Sequence, residues 1–235
     1  MVESTALQLQ SISKSYGKNS ALKSIDLTIH CGQIVALFGH NGAGKSTLLK
    51  IFSTALKPDK GQIRIMGADS NKYPSWCRSQ IGYIGHKNYL YPDLSPIENL
   101  TFFARLYGIA GHKTRILQVL EDLELKDKSK QPVRNLSNGQ QKRVAIARAL
   151  LHQPSILLMD EADTGLDLYA KSVVKSIVQQ VSQRGGTVFF SSHDPFDSLA
   201  YANEFILLEK GTLIAHRESN PNSKADLLKI LRTNN

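Results

Sequence analysis

The chain predicts an α/β fold, a mostly parallel sheet with helices packed on its faces, and three observations carry that expectation. Ile34-Val35-Ala36-Leu37-Phe38, Ile156-Leu157-Leu158-Met159 and Val188-Phe189-Phe190 are continuous apolar runs, the pattern of strands buried on both faces. Stretches with helical periodicity alternate with them. Each run also ends in a polar cluster, and ligands of open α/β sheets bind beyond the carboxyl ends of the strands. That convergence predicts one site assembled from distant segments. The composition agrees: 235 residues, 41% apolar and 21% charged, is ordinary globular usage. It excludes disordered, collagen-like and low-complexity classes, and the length suffices for a sizeable core.

The elements follow in order. Leu7, Leu9 and Ser11 alternate with polar neighbours, and Tyr16-Gly17-Lys18-Asn19 supplies a turn. Alternation resumes from Ala21 to His30 through Leu22, Ile25, Leu27 and Ile29, so both segments read as strands. Cys31-Gly32 breaks the pattern before the buried run at 34–38. A glycine-rich loop then leads into a helix over Ser46 to Phe52. Pro58-Asp59-Lys60-Gly61 reads as a turn and Ile63-Arg64-Ile65 as a strand. Ser95-Pro96-Ile97-Glu98 is a capping box with proline at the first helical position. Its helix is expected to bury Ile97, Leu100, Phe103, Ala104 and Tyr107 and to stop at Gly108. A second amphipathic helix is expected from about His112 to Leu125, with Ile116, Leu117, Leu120 and Leu123 inward. A charged segment, Lys126 to Lys130, leads to Pro132. Ser137 and Gln140 form another capping box, opening a helix that runs to about Leu151 and is closed by Pro154. Residues 88–151 thus read as a helical block. Beyond it come the strand Ile156–Met159, a helix from about Tyr169 to Gln183, the strand Val188–Phe190, and a hairpin of Phe205–Leu208 with Thr212–Ala215. The last 15 residues read as a short surface helix.

Composition narrows the class. No apolar run approaches the ~18 residues that cross a bilayer. The N-terminus lacks the basic start and apolar stretch of a signal peptide. Cys31 and Cys77 are too few for a disulfide framework or a metal cage. A soluble intracellular protein is the expectation. The net charge of +9 is uneven: residues 1–117 hold 14 basic and 6 acidic side chains, residues 118–235 hold 15 and 14. A basic half suits phosphorylated ligands, an anionic membrane surface or nucleic acid, and equally a plain solvated surface. No dense Lys/Arg block or aromatic ladder points to nucleic acid, so no nucleic-acid partner is expected.

Three clusters carry chemistry. Gly39-His40-Asn41-Gly42-Ala43-Gly44-Lys45-Ser46 fits G-x-x-x-x-G-K-[ST] between a buried strand and a helix. Glycines let backbone N–H groups turn inward on phosphate, and the helix start adds its positive dipole end. Lys45 reaches the terminal phosphates, and the Ser46 hydroxyl can ligate Mg²⁺. Asp160-Glu161 follows the second buried strand. An acidic residue there can hold Mg²⁺ through water, and the next carboxylate is placed to polarise an attacking water. Leu136-Ser137-Asn138-Gly139-Gln140 offers a second anion-binding helix start. The bland alternatives are a Gly-rich turn, a solvated acidic strand end and plain helix capping.

With these motifs in this order, the chain resembles the ATP-binding subunit of an ABC transporter over nearly its full length. Residues 39–46 resemble the Walker A, Leu136–Gln140 the signature L-S-G-G-Q, and Ile156–Glu161 the Walker B with its following glutamate. Asp167 sits at the D-loop, His193 at the switch histidine, and Tyr16 where the family stacks an aromatic ring on adenine. The resemblance implies the ABC ATPase variant of the P-loop NTPase fold: a mostly parallel core sheet with an antiparallel β subdomain and a helical subdomain. One domain spans 1–235, with 1–87 and 152–235 as the catalytic core and 88–151 as the helical signature subdomain. The implied ligands are ATP and Mg²⁺. Tyr16, Gly39, His40, Asn41, Gly42, Ala43, Gly44, Lys45, Ser46 and Thr47 would bind the nucleotide, joined by Ser137, Gly139, Gln140 and Asp167. Lys45, Glu161 and His193 would be catalytic, and Ser46, Asp160 and His86 would be the metal-side residues. One chain then offers two anion-binding helix starts where one ATP has one γ-phosphate. The family's answer is a head-to-tail pair, here a homodimer or a pair with a related ATPase subunit, docked on transmembrane permease subunits at the cytoplasmic face of the inner membrane.

Three departures qualify the resemblance. Asn138 replaces the first signature glycine, and Asn tolerates left-handed backbone. Ala162 stands where proline usually follows the glutamate. Gly85-His86 stands where the family carries its Q-loop glutamine, and an imidazole titrates near neutral pH. Ile84-Gly85-His86, Leu90-Tyr91, Glu98-Asn99-Leu100 and the run Phe102 to Gly108 are similar to the heme-export ATPases of cytochrome c maturation. The alternatives are a generic exporter ATPase for drugs, lipids or polysaccharides, a soluble ABC ATPase acting on ribosomes or DNA, and a module that binds nucleotide without turnover.

Overall fold

The computed structural model describes residues 4–161, 168–192, 194–220 and 225. β1 (Thr5–Tyr16) and β2 (Asn19–His30) form an antiparallel hairpin. The alternation that places Ser11 on the inner face ends at a bulge. Ser11 sits at φ 52, the register shifts between Leu9 and Ile12, and Ile12 becomes fully buried. An inserted residue flips every later side chain to the opposite face, and the freed Ser11 N–H donates to Asp26 Oδ1 at 2.8 Å. β3 (Ile34–Phe38) is buried throughout, as the sequence predicts, and α1 (Lys45–Phe52) follows its loop. β4 (Lys60–Ile65) pairs antiparallel with β1, so Lys60 and Gly61 are strand rather than turn. The reason is close approach: a Cβ on Gly61, at φ 91, would lie 2.4 Å from Gln10 O. β5 (Ala68–Asp69) completes a four-stranded sheet in the order β2-β1-β4-β5.

α2 (Pro74–Ser79) and β6 (Ile81–Ile84) are absent from the sequence reading. Both are too short to show a period, and Gly82 lies inside the strand. The helical block holds α3 (Pro96–Leu106), α4 (His112–Asp122) and α5 (Asn138–Leu150). Both expected capping boxes form, Ser95 with Glu98 and Ser137 with Gln140. Two expected core positions are exposed instead. Leu117 lies about 100° around α4 from Ile116, and Val119 takes the inward place beside Leu120. Tyr107 is the C-cap of α3, and its ring stacks on His152 with centroids 4.2 Å apart. Asn99 is fully buried and satisfied, donating to Tyr91 O, Leu94 O and Ser95 O and accepting from Tyr91 N–H.

β7 (Ile156–Asp160), α6 (Leu168–Gln183), β8 (Thr187–Ser191), α7 (Pro195–Ser198), β9 (Glu204–Glu209) and β10 (Thr212–Glu218) complete the described chain. The second sheet runs β10-β9-β3-β8-β7-β6. All its neighbours are parallel except β9 and β10. Alternate side chains enter two cores. Val35, Leu37, Leu158 and Phe189 pack against α1 and the antiparallel sheet. Ala36, Phe38, Leu157, Met159 and Phe190 pack against the helical block and α6. No helix among the described residues is long and apolar enough to cross a membrane. The expected terminal helix lies outside the described residues, Ala225 apart.

Candidate functional site

Parallel pairing brings the motifs to one edge. Leu37 pairs with Ser191, and Ser191 with Asp160, so β8 alone separates the strand that feeds the P-loop from the strand that ends in carboxylates. The loop after β3 needs its glycines. Gly39 has φ 151, and a Cβ there would lie 2.3 Å from Leu208 O. Gly44 has φ 107, and its Cβ would lie 2.6 Å from Ala21 O. Both positions press backbone on backbone. The turn of the β9–β10 hairpin fixes the loop from below: Gly211 N–H donates to Ala43 O at 3.0 Å, and Lys23 N–H donates to Gly211 O at 2.7 Å. Sequence reading gave Gly211 no part in the site. Glycine in a hairpin turn is ordinary, and its contact with β2 is non-local.

The loop holds an anion cradle. The first helical bond of α1 is Leu48 N–H to Gly44 O, which leaves the N–H groups of Lys45, Ser46 and Thr47 without an intrahelical partner. Lys45 is buried, and its ammonium donates to Gly39 O at 2.7 Å and His40 O at 3.3 Å. Burial pushes its pKa down, while the charges of Glu161 and Asp160 pull it back up. Lys45 and both carboxylates therefore share one electrostatic site. His40, Asn41, Gly42 and Ser46 are exposed at the mouth of the loop. This is a donor set for a polyphosphate, on a backbone that side chains at Gly39 and Gly44 would obstruct.

Ser191 organises the carboxylates. Its hydroxyl donates to Asp160 Oδ1 at 2.9 Å and accepts from Glu161 N–H at 3.0 Å. Glu161 has φ 51, the left-handed region that costs a non-glycine residue free energy. One buried hydroxyl thus orients Asp160 and braces the turn that aims Glu161. Asp160 and the Ser46 hydroxyl are oxygen donors of the kind Mg²⁺ takes, with phosphate and water completing the shell. Among the described residues no group of three or more His, Cys, Asp or Glu is arranged to hold a metal ion. His86 is thus not drawn with Asp160 and Glu161 into one protein-only cage; it is exposed, at the end of β6. Ser191 belongs to the polar cluster that ends the third buried run, but its bridging part is not legible there, because a hydroxyl at a strand end carries no periodic or spacing signal.

The start of α5 is separate. Ser137 N–H donates to Gln140 Oε1 at 3.0 Å, and Gln140 N–H donates to Ser137 Oγ at 3.3 Å. Asn138 is the first residue of α5 and has no positive φ, so its left-handed tolerance is unused. Ser137 is exposed and Gly139 half-buried. No hydrogen bond or ion pair among the described residues joins 136–140 to 39–47. Tyr16 is 51% exposed at the end of β1, its ring open to solvent. Asp167, His193 and Ala162 lie outside the described residues.

Comparison with known proteins agrees with this geometry. The family model described as "ABC transporter" matches residues 22–164. The chain is 36% identical to the ABC transporter ATP-binding protein NatA of Bacillus subtilis strain 168, over 83% of this chain and 80% of that one. It superposes with a TM-score of 0.86 on a solved ATP-binding subunit of an ABC transporter, at 26% identity, covering 96% of this chain and 94% of the other. It superposes with a TM-score of 0.83 on a dimeric ATP-binding cassette in a post-hydrolysis state bound to ADP and Pi, at 28% identity, covering 91% and 99%. On these matches the chain belongs to the ABC transporter family, as an ATP-binding cassette with ATPase activity.

Proposed function

We propose that two copies of this chain close head to tail on two ATP molecules and that hydrolysis reopens them to energise export through separate membrane subunits. The observation that carries the reading is the pair of anion-binding helix starts that do not meet within one copy. A second copy turned head to tail would bring Ser137, Gly139 and Gln140 to the γ-phosphate held over Lys45. The similar dimeric cassette bound to ADP and Pi supports this arrangement.

In this reading Gly39 to Thr47 wrap the phosphates, Lys45 neutralises the β/γ oxygens, and Tyr16 stacks on adenine. Ser46 and Asp160 would hold Mg²⁺, whose charge offsets that of the phosphates when it is bound. Glu161 positions the attacking water. His193 and Asp167 take the switch and D-loop roles by motif match. The block 88–151 is the helical signature subdomain, and 1–87 with 152–235 is the catalytic core.

The membrane partner docks beside His86. A cavity of about 520 Å³ lies between β6 and the helical block, lined by Tyr83, Tyr89, Phe103, Tyr107 and Arg148 among others. Tyr89 and Leu106 are 60% and 67% exposed. The chain sits peripherally on the inner face of the cell membrane. The Gly85-His86 pair and the 90–108 pattern support a heme-related cargo in cytochrome c assembly. A strain lacking the chain is expected to lose c-type cytochromes; normal levels would leave the generic exporter.

Phosphate release tests the dimer. Turnover per chain is expected to rise with protein concentration and then saturate, as association completes the site. Turnover per chain independent of concentration down to full dissociation contradicts it.

A further inference from the structure

The strand leading to His86 is tied to the signature helix by three basic side chains. Among the described residues β6 is an edge strand, paired with β7 alone. Ile156 N–H donates to Gln80 O, so the carbonyls of Ile81, Tyr83 and Gly85 point away from the sheet. Such an edge is normally left to solvent or covered. Here residues of α5 and its C-terminal extension occupy it. His152 Nε2 bonds Ile81 O at 3.0 Å, Arg148 Nη2 donates to Tyr83 O at 3.1 Å, and Lys142 Nζ donates to Gly85 O at 3.1 Å.

The two elements match in length. From Lys142 to its end at Leu150 the helix rises about 12 Å, and His152 lies two residues beyond. Four residues of strand, 81 to 85, rise about 13 Å. They run in opposite directions, so each donor meets every second carbonyl in turn. Arg148 Nη1 extends the row to Tyr89 O at 3.3 Å, with its guanidinium over the rings of Tyr89 and Phe103. Lys142 is buried, and burial pushes the Arg148 pKa down. Charged donors withdrawn from water are costly to separate from their acceptors, so the row resists opening.

At one end of α5 stand Ser137 to Gln140. The loop that carries His86 stands at the same end, held through Gly85 by Lys142, while Arg148 and His152 hold β6 farther along the helix. We propose that Lys142, Arg148 and His152 are positioning residues that make these two segments one lever. A push on the His86 loop then reaches the signature of the same copy, and closure at the signature reaches the His86 loop. This rests on the head-to-tail reading, in which the signature meets the partner's nucleotide.

Hydrogen-exchange mass spectrometry on the full-length chain, with and without ATP-Mg, tests it. In the wild type, ATP-Mg is expected to slow exchange at 39–47, 136–141 and 85–89 together. In Lys142→Met, ATP affinity is expected to stay within about twofold while slowing at 85–89 falls at least about fivefold, and Lys142→Arg restores it. Undiminished slowing at 85–89 in Lys142→Met overturns the lever alone. A loss in which ATP affinity falls with it and Lys142→Arg gives no rescue overturns it as well. A wild type in which 136–141 ignores ATP-Mg overturns the head-to-tail reading and the lever with it. If Lys142→Met does not fold, Arg148→Lys is expected to show the same loss at smaller size, and full retention there overturns the lever.

Discussion

At the scale of single residues, the site rests on a few groups whose jobs separate experimentally. Lys45→Ala removes the buried ammonium from the phosphate cradle, and tight ATP binding is expected to vanish in a fluorescent-nucleotide titration. In the proposed function Tyr16 stacks on adenine, so Tyr16→Ala is expected to weaken binding by ~1–3 kcal/mol. Ser191→Ala is different, because Ser191 bridges Asp160 Oδ1 and Glu161 N–H without lining the cradle. Losing a buried hydrogen bond of this kind costs about 1–3 kcal/mol. If that cost falls on aiming Glu161, kcat drops about tenfold or more while ATP affinity holds, and Ser191→Thr recovers part of the loss. Equal losses in kcat and affinity would remove Ser191 from that role. Lys45 and Gly39 were legible in the sequence because the loop's chemistry is local, fixed by glycine spacing between a strand and a helix. The bridging part of Ser191 was not, because its partners lie 30 and 31 residues away and meet it only through strand pairing.

At the scale of elements, the capping boxes were legible, since N-cap and N3 residues lie within one turn. Ser95→Ala is expected to destabilise the protein by about 1 kcal/mol. The Ser95 backbone N–H and then its hydroxyl hold the Glu98 carboxyl below the usual carboxylate range. A depressed folded-state pKa stabilises above the unfolded pKa and is lost as pH falls through the folded value. The difference in urea midpoint between wild type and Ser95→Ala is therefore expected to shrink as pH falls below the carboxylate range. A difference constant with pH would show that the Ser95 hydroxyl adds nothing to the Glu98 carboxylate. β6 and α2 were illegible for the opposite reason. Four and six residues give no period, and β6 exists because β7 supplies its ladder on one side and α5 covers the other. The bulge at Ser11 shows the same limit, since the alternation breaks where the backbone, not the hydrophobic pattern, changes register.

At the scale of the whole molecule, the alternation of buried strands and helices predicted the parallel sheet, and the structure adds what lies on each face. One face carries the helical block and α6; the other carries α1 and the antiparallel sheet. That layering holds Lys45, Asp160 and Glu161 on one edge and presents Ser137 on an exposed tip. In the proposed mechanism one copy binds the nucleotide and a second copy supplies the half that closes over it. Glu161→Gln separates the two steps, because amidation keeps the shape of the side chain and removes its charge. The most direct measurement is the mass of this 26.0 kDa chain as Glu161→Gln by light scattering, with and without excess ATP-Mg. The mass is expected to double with ATP-Mg and to return to that of one chain when nucleotide is removed. A single-chain mass under saturating ATP-Mg would contradict closure of two copies on shared nucleotide.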